Sequence, residues 1–320
     1  MEVRRVRVES AARLHLGFID LHGGIGRRFG SIGVALERPA LILEARLADH
    51  LSWDGPDGAR AGEFAERFYA RYAPALRHAR QAHIQVIEAI PPHQGLGSGT
   101  QLALAVGTAL ARLHGVETGP FEIAQLMERG RRSSIGIGAF QQGGFLLDGG
   151  RALSSDRPAP ILIQHALPPD WLFVIVMPQA APGLSGEQEK QAFIELPSPS
   201  EEMVGQLARL LLMQMLPAVV ERDIVSFGAA LTEIQRLVGD SFAPVQGGRY
   251  ANDHSAKLIA ELLAHGALGA GQSSWGPTVY GLVQGEAAAR ELEENIRNFS
   301  GPMVFYHSPA AGHGARIITT

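Results

Sequence analysis

The chain has 320 residues, a formal net charge of −4, 46% hydrophobic residues and 19% charged ones. That is enough for two domains or one large one, too apolar for a disordered chain, and gives no electrostatic reason to expect nucleic-acid binding. There is no cysteine, so disulfides, thiolate catalysis and zinc–thiolate sites are excluded.

No apolar run reaches the ~18 residues of a membrane span, and Met1-Glu2-Val3-Arg4-Arg5 lacks the apolar core of a signal peptide. A cytoplasmic protein without membrane contact is expected. Residues 3–8 alternate as a strand. In 10–21 alternation puts Arg13 and His15 on one side and Leu14 and Leu16 on the other. A turn crowded with glycine and arginine follows at 23–30, then strands at 33–36 and 40–48 broken at Pro39. Residues 49–61 read as a polar loop and 64–80 as a helix disturbed at Pro74. The strand 83–90 leads into a glycine-rich turn at 91–101. The helix 102–113 has no polar face, so it is expected to be buried on most sides. A helix over 120–129, a glycine–serine segment at 133–140, and strands near 145–148, 161–165 and 171–177 come next.

A domain boundary near 166 would divide the chain into 1–165 and 166–320. Beyond it, 183–191 is polar and glycine-rich, a mobile-loop candidate. Helices are expected at 201–216, 218–238 and 253–265, with a loop at 239–248. A second glycine-dense turn spans 266–278. A strand at 279–283, a helix at 287–298 and strands at 304–307 and 316–319 complete the chain.

The chemistry concentrates in the turn at 91–101. It places Gly95, Leu96, Gly97, Ser98, Gly99, Thr100 and Gln101 at the start of a helix. Backbone N–H groups point outward there, glycine admits a close ligand, and the helix dipole favours an anion. Lys190 and Lys257 are the only lysines and neither follows a glycine-rich turn, so a Walker-type phosphate loop is absent. Phosphate would be held by amides, arginine and a metal ion. Ser98 and Thr100 can cap the helix or hold a divalent ion, and the roles are compatible. Arg13, Arg27 and Arg28 can clamp phosphate or stand as surface arginines. His15 reads as a hydrogen-bond donor, a base or a structural histidine. Asp20 reads as a metal carrier, a stabiliser of positive charge, or an Asx turn. Trp275, between Ser274 and Gly276, can stack on an aromatic substrate or sit in the core. Four glycine-and-polar clusters (13–28, 94–101, 133–144 and 269–278) suggest loops converging on a cleft. His307 and His313 lack metal-ligand spacing with any partner and there is no His-Glu-x-x-His pattern, so no transition metal is expected.

Three motifs in this order resemble the GHMP kinase superfamily: Ala12-Arg13-Leu14-His15-Leu16-Gly17, the proline-led turn 91–100, and the glycine-rich turn 269–275. The resemblance implies an α+β fold, with an N-terminal ribosomal-protein-like domain, a C-terminal ferredoxin-like domain and a cleft between them. Within the superfamily, residues 13–21, 95–101 and 273–281 are most similar to the β-ribofuranosylaminobenzene 5'-phosphate synthase family. That family couples phosphoribosyl pyrophosphate to the aromatic acids 4-aminobenzoate or 4-hydroxybenzoate, releasing pyrophosphate and CO2, in tetrahydromethanopterin synthesis. The resemblance implies Mg2+, a homodimer, and a site in which Arg27 or Arg28 holds the 5'-phosphate or the acceptor carboxylate. Asp20 would stabilise cationic character and Trp275 would face the ring. Many kinases of the superfamily carry an aspartate base in the middle motif. Here 133–142 has no carboxylate, which weakens the runner-up, an ATP-dependent small-molecule kinase. A third class is a catalytically idle member that binds a nucleotide or a phosphosugar as a sensor.

Overall fold

The computed structural model describes residues 3–76, 80–179, 186–297, 299 and 301–320. Strand β1 (Arg5–Asp20) alternates buried and half-exposed residues up to Leu14, then is buried continuously to Phe18. It runs antiparallel to β2 (Arg27–Leu47). Pro39 does not break β2 in two as the sequence suggested. Ala11 pairs with Ala40 and Ala12 with Leu36, so residues 37–39 bulge out of the ladder. A bulge spares proline's missing N–H a ladder bond.

The expected loop at 49–61 instead holds β3 (Ser52–Asp54) and the start of α1 (Gly58–Tyr72). Glycines at 55, 58 and 62 hid the helical period, which buries Ala61, Phe64, Ala65, Phe68 and Tyr69. This helix stops short of residue 80, with Pro74 in a one-turn 3-10 segment, and 77–79 lie outside the described residues. Next come β4 (Ala82–Glu88), α2 (Ser98–His114) and α3 (Pro120–Leu126), which ends three residues early. They are followed by α4 (Ile135–Gln141), β5 (Phe145–Asp148), β6 (Arg151–Ala152) and β7 (Ile161–His165).

The second half opens with β8 (Trp171–Pro178). Residues 183–185 of the expected mobile loop lie outside the described residues, and the rest belongs to α5 (Gly186–Glu195). The helices α6 (Glu201–Leu210) and α7 (Leu216–Glu221) are joined by a π-helical turn over 211–215. The whole run is long and apolar enough to match a membrane span by length and composition. It nonetheless carries Arg209 and buries Leu207, Leu211, Met215, Ala218 and Val219 against the protein. Helix α8 (Ile224–Gln246) starts on Asp223, whose carboxylate accepts from the amides of Val225 and Ser226, and it takes up most of the expected loop at 239–248, ending at the left-handed cap Gly247. After α9 (Asp253–Ala264) come β9 (Gly269–Gln272), β10 (Val279–Gln284), α10 (Glu286–Arg297), β11 (Met303–Pro309) and β12 (Arg316–Thr319).

The first sheet has the order β12-β1-β2-β4-β3, with β5 and β6 also paired to β2 and β7 paired to β5. The second is antiparallel, β11-β8-β10-β9. The chain changes sheet between His165 and Trp171, and its end returns to the first sheet through β12. Strand β8 is buried throughout because both faces are covered. Leu172, Val174 and Val176 pack with Leu258, Leu262 and Ile296, while Trp171, Phe173 and Ile175 share the main core with Phe227 of α8. α8 also ties the two sheets together. Gln235 Nε2 donates to the Leu16 carbonyl at 2.6 Å, and its Oε1 accepts from the Gln272 amide at 2.8 Å. Helix α2 is buried from Gln101 to Ala111, as its lack of a polar face implied. Each buried leucine or valine there contributes about 1.5–3 kcal/mol, which fixes the helix whose N-terminus forms the site.

Candidate active site

The loop before α2 reverses through left-handed glycines. Gly97, at φ 82°, is the N-cap. Its carbonyl accepts from the amides of Thr100 and Gln101 at 3.0 and 3.1 Å. The amides of Ser98 and Gly99 are the donors left over at a helix start, and no side chain caps them. A Cβ on Gly97 would lie 3.0 Å from Arg13 Cγ, and one on Gly99 would lie 2.6 Å from Arg60 Nη2 and 3.5 Å from Arg129 Nη2. Three guanidinium side chains therefore crowd the two glycines that open the helix.

Hydrogen bonds lock three distant stretches together here. The Arg13 amide donates to the Leu96 carbonyl at 3.0 Å, and its Nη1 donates to the Gly95 carbonyl. Ser273 Oγ donates to that same carbonyl at 2.7 Å and accepts from the His15 amide at 3.0 Å. The Ser274 amide donates to the His15 carbonyl at 3.3 Å. Ser274 holds φ 56°, a left-handed conformation that is strained for a non-glycine residue.

These stretches line a cleft of about 550 Å³. Its wall carries Arg13, Arg60, Arg67, Arg129, Arg131, Arg132 and Lys190 against two carboxylates, Glu128 and Glu189. Both carboxylates are engaged: Glu128 with Arg67 at 3.0 Å and Arg131 at 2.7 Å, Glu189 with Arg132 at 2.7 Å. Burial pushes Arg13 down to about 10. Burial also lowers Arg129, and the neighbouring charges of Arg60 and Arg67 lower it further. Arg129 lies 5.3 Å over the Phe64 ring, and its buried Nε lacks a hydrogen-bond partner among the described residues. His15 is pushed down to about 3, first by burial and then by Arg13 and Arg132. It is a neutral imidazole at neutral pH, and its buried Nε2 also lacks a partner among the described residues. Mutually repelling, partly dehydrated cations beside orphan helix amides are arranged for a multiply charged anion.

Residues 61–144 match the GHMP kinase N-terminal domain family and 215–301 the GHMP kinase C-terminal family. Three relatives are named β-ribofuranosylphenol 5'-phosphate synthase. The one from Methanothermobacter thermautotrophicus is 33% identical over 86% of this chain and 88% of its own. The one from Archaeoglobus fulgidus is 34% identical over 92% of each chain. The one from Methanocaldococcus jannaschii is 33% identical over 85% of this chain and 88% of its own.

The chain belongs to the β-ribofuranosylphenol 5'-phosphate synthase family.

Solved structures share the family's fold at low identity. The homoserine kinase of Cytophaga hutchinsonii aligns with TM-score 0.65 at 19% identity, covering 98% of this chain and 97% of that one. The Lactococcus lactis galactokinase, complexed with galactose, gives TM-score 0.69 at 15% identity, covering 98% and 95%. The GHMP-kinase-like α+β fold anticipated from the motifs is the fold observed.

Of the site residues anticipated in this family member, Arg13, His15, Gly95, Gly97, Ser98, Gly99, Thr100, Ser274, Trp275 and Gly276 line the cleft. Leu96 is core, and Gln101 is buried and donates to the Gly136 carbonyl at 2.8 Å, so both brace the loop from behind. Trp275 is only 5% exposed and packs edge-on against Phe242 and Phe193 at 4.5 and 5.4 Å, combining core and cleft roles.

Besides Leu96 and Gln101, three more expected residues are not among those lining the cleft. Asp20 Oδ1 accepts from the amides of His22 and Gly23, both at 2.8 Å, which is the Asx turn. Arg27 donates to the carbonyls of Gly149 and Gly150 at 2.8 and 2.6 Å, and Arg28 to that of Leu21 at 2.9 Å. The Arg27 donors serve the turn between β5 and β6, and the Arg28 donor serves the turn between β1 and β2. Apart from Arg13 of β1, the arginines of the cleft come from α1 and from the Glu-Arg-Gly-Arg-Arg run at 128–132. That run was the available signal, standing directly before Ser133. The middle motif itself is helical, and the carboxylate that serves it, Asp148, is fully buried. Asp148 accepts from the amides of Ser134, Gly150 and Ser31 at 2.8, 3.0 and 3.1 Å. Burial raises its pKa against those hydrogen bonds, and it is absent from the cleft wall.

Proposed function

We propose that the chain transfers the phosphoribosyl group of phosphoribosyl pyrophosphate to an aromatic acid, forming a carbon–carbon bond with loss of pyrophosphate and CO2. The observation that carries this is the ring of Arg13, Arg60 and Arg129 around Gly97 and Gly99. Together with the Ser98 and Gly99 amides it offers one place where several negative charges are held at once.

In this reading the pyrophosphate sits on the helix start and its departing oxygen gains charge facing fixed donors. C1 of the ribose becomes oxocarbenium-like. The ring carbon that bears the carboxylate attacks C1, and the C1–O bond breaks with its electron pair going to pyrophosphate. The bond to the carboxylate carbon then breaks, CO2 leaves, and its electron pair restores the aromatic ring. No protein base is required at that carbon. The site agrees: His15 is held neutral by burial and two arginines, and both cleft carboxylates are ion-paired. Arg131 and Arg132 also line the cleft, as candidates for the 5'-phosphate or the acceptor carboxylate. Trp275 and Phe18 supply its apolar wall.

The donors also fit Mg2+ carried mainly on the substrate's phosphate oxygens. The side chains of Ser98 and Thr100 line the cleft without capping the helix. No cluster of three or more His, Cys, Asp or Glu forms a protein-only cage among the described residues. Bound there, the ion would offset charge on the leaving group.

The relatives' names specify a phenol product, which favours 4-hydroxybenzoate over 4-aminobenzoate as acceptor. Cytoplasmic tetrahydromethanopterin synthesis and a homodimer belong to the same proposal. The kinase alternative is less well supported, since it calls for a positioned base. Incubation with phosphoribosyl pyrophosphate, Mg2+ and each labelled acid tests the proposal. Release of CO2 and pyrophosphate supports it, and release of neither from both acids sinks it.

A further inference from the structure

We infer that Glu189 is the resident counter-ion of the anion site, displaced when pyrophosphate enters and restored when it leaves. This rests on the reading of the cleft as a pyrophosphate site and adds a residue that sets how tightly the anion is held.

Helix α5 leans into the cleft with Gly186, Glu189 and Lys190. Glu189 pairs with Arg132 at 2.7 Å, and both side chains are only about a quarter exposed, at 24% and 27%. The contact is two-sided. One helical turn after Glu189, Phe193 places its ring 4.6 Å from the Arg132 guanidinium carbon. Arg132 is thus held by a carboxylate and a ring face from the same helix.

The charge of Glu189 reaches further than its partner. It favours the charged forms of Arg13 and Arg129, the guanidiniums over Gly97 and Gly99. The other cleft carboxylate, Glu128, is committed to Arg67 and Arg131. Among the described residues no carboxylate forms a salt bridge with Arg13 or Arg129, and the Nε of Arg129 is unsatisfied. Arg60 has its own partner in Asp57 at 2.8 Å, and Glu128 also favours the charged form of Arg129, but Glu189 is the cleft carboxylate whose charge acts on both Arg13 and Arg129. A pyrophosphate arriving at Gly97–Gly99 offers the same cations several negative charges. It also meets repulsion from Glu189, so the pair with Arg132 is weakened as the ligand binds. Once the carbon–carbon bond has formed, the carboxylate competes with the product for the same cations and speeds its release.

The test uses inorganic pyrophosphate with Mg2+ on the full chain, by calorimetry, comparing wild type with Glu189→Gln and Glu189→Asp. Gln keeps the shape and a hydrogen bond to Arg132 but removes the charge. Pyrophosphate is expected to bind Glu189→Gln about tenfold tighter, a change of about 1.4 kcal/mol, and Glu189→Asp within about threefold of wild type. The inhibition constant of pyrophosphate as product should fall by the same factor, with thermal midpoints reported alongside. A structural role alone would loosen binding or leave it unchanged. Equal or weaker binding to Glu189→Gln, with wild type binding normally, overturns the inference while leaving the cleft reading intact. Failure of wild type to bind pyrophosphate overturns both. Should Glu189→Gln not fold, Glu189→Ala takes its place under the same criterion.

Discussion

Arg129→Met separates a binding arginine from a structural one by the sign of two effects. Methionine retains most of the apolar stem and can still contact Phe64, which the guanidinium overlies at 5.3 Å. The substitution removes a cation that burial and the charges of Arg60 and Arg67 disfavour, and whose Nε makes no hydrogen bond among the described residues. Folding stability of the empty protein should hold or rise, by about 1 kcal/mol at most, since an unpaired buried donor costs roughly 1–3 kcal/mol and the lost ring contact returns part of that. Pyrophosphate binding should move the other way. A charge-assisted hydrogen bond contributes about 1.5–3 kcal/mol, so affinity should drop by about 10- to 150-fold. Urea titration at fixed pH measures the first and calorimetry with pyrophosphate the second. A variant that is clearly destabilised but binds pyrophosphate as well as wild type would refute the reasoning and make Arg129 a prop for α1.

Gly97→Val should abolish turnover while the chain stays folded. The left-handed φ of 82° strains a β-branched residue, and the new Cβ would sit 3.0 Å from Arg13 Cγ, dislodging the guanidinium from the Gly95 carbonyl; full activity would move the pyrophosphate elsewhere. His15 is depressed from 6.5 to about 3, so the unfolded chain binds its proton first. Its contribution is whole above pH ~6.5 and is lost as pH falls toward 3, at up to about 1.4 kcal/mol per unit. The pH dependence of stability between pH 7 and 5 should flatten in His15→Asn, and an unchanged slope would contradict the buried neutral state. Pyrophosphate affinity should fall steadily as salt rises from about 0.05 to 0.3 M, because the cleft acts through charge; indifference to salt would argue against an arginine-based site.

The fold and half of the site could be read directly from the sequence for a physical reason. Gly95 and Gly97, at φ 76° and 82°, mark a left-handed turn that favours glycine, and the apolar run after them marks a helix that must be buried. Motif order then supplied the architecture. Arg13 was placed correctly, but Arg27 and Arg28 were misassigned because side-chain reach is not local. Arg27 and Arg28 stand in a conspicuous glycine turn, yet Arg27 satisfies carbonyls of the turn between β5 and β6 and Arg28 one of its own turn. Arg60 arrives from a helix start masked by glycines, and Arg129 from a run in which charge alone does not say which way a side chain points. Glu189 was invisible for a similar reason: its segment reads as a polar loop, and its importance comes from lying opposite Arg132. The bulge at Pro39 likewise depends on pairing with β1, which no local pattern encodes.

The most direct test of the central claim is a product balance in a single reaction. With phosphoribosyl pyrophosphate, Mg2+ and carboxyl-labelled 4-hydroxybenzoate or 4-aminobenzoate, labelled CO2 and pyrophosphate should appear together in equal amounts, without ATP. Formation of neither product from either acid, alongside ADP formation from ATP and a small alcohol, would contradict the account and return the cleft to the kinases.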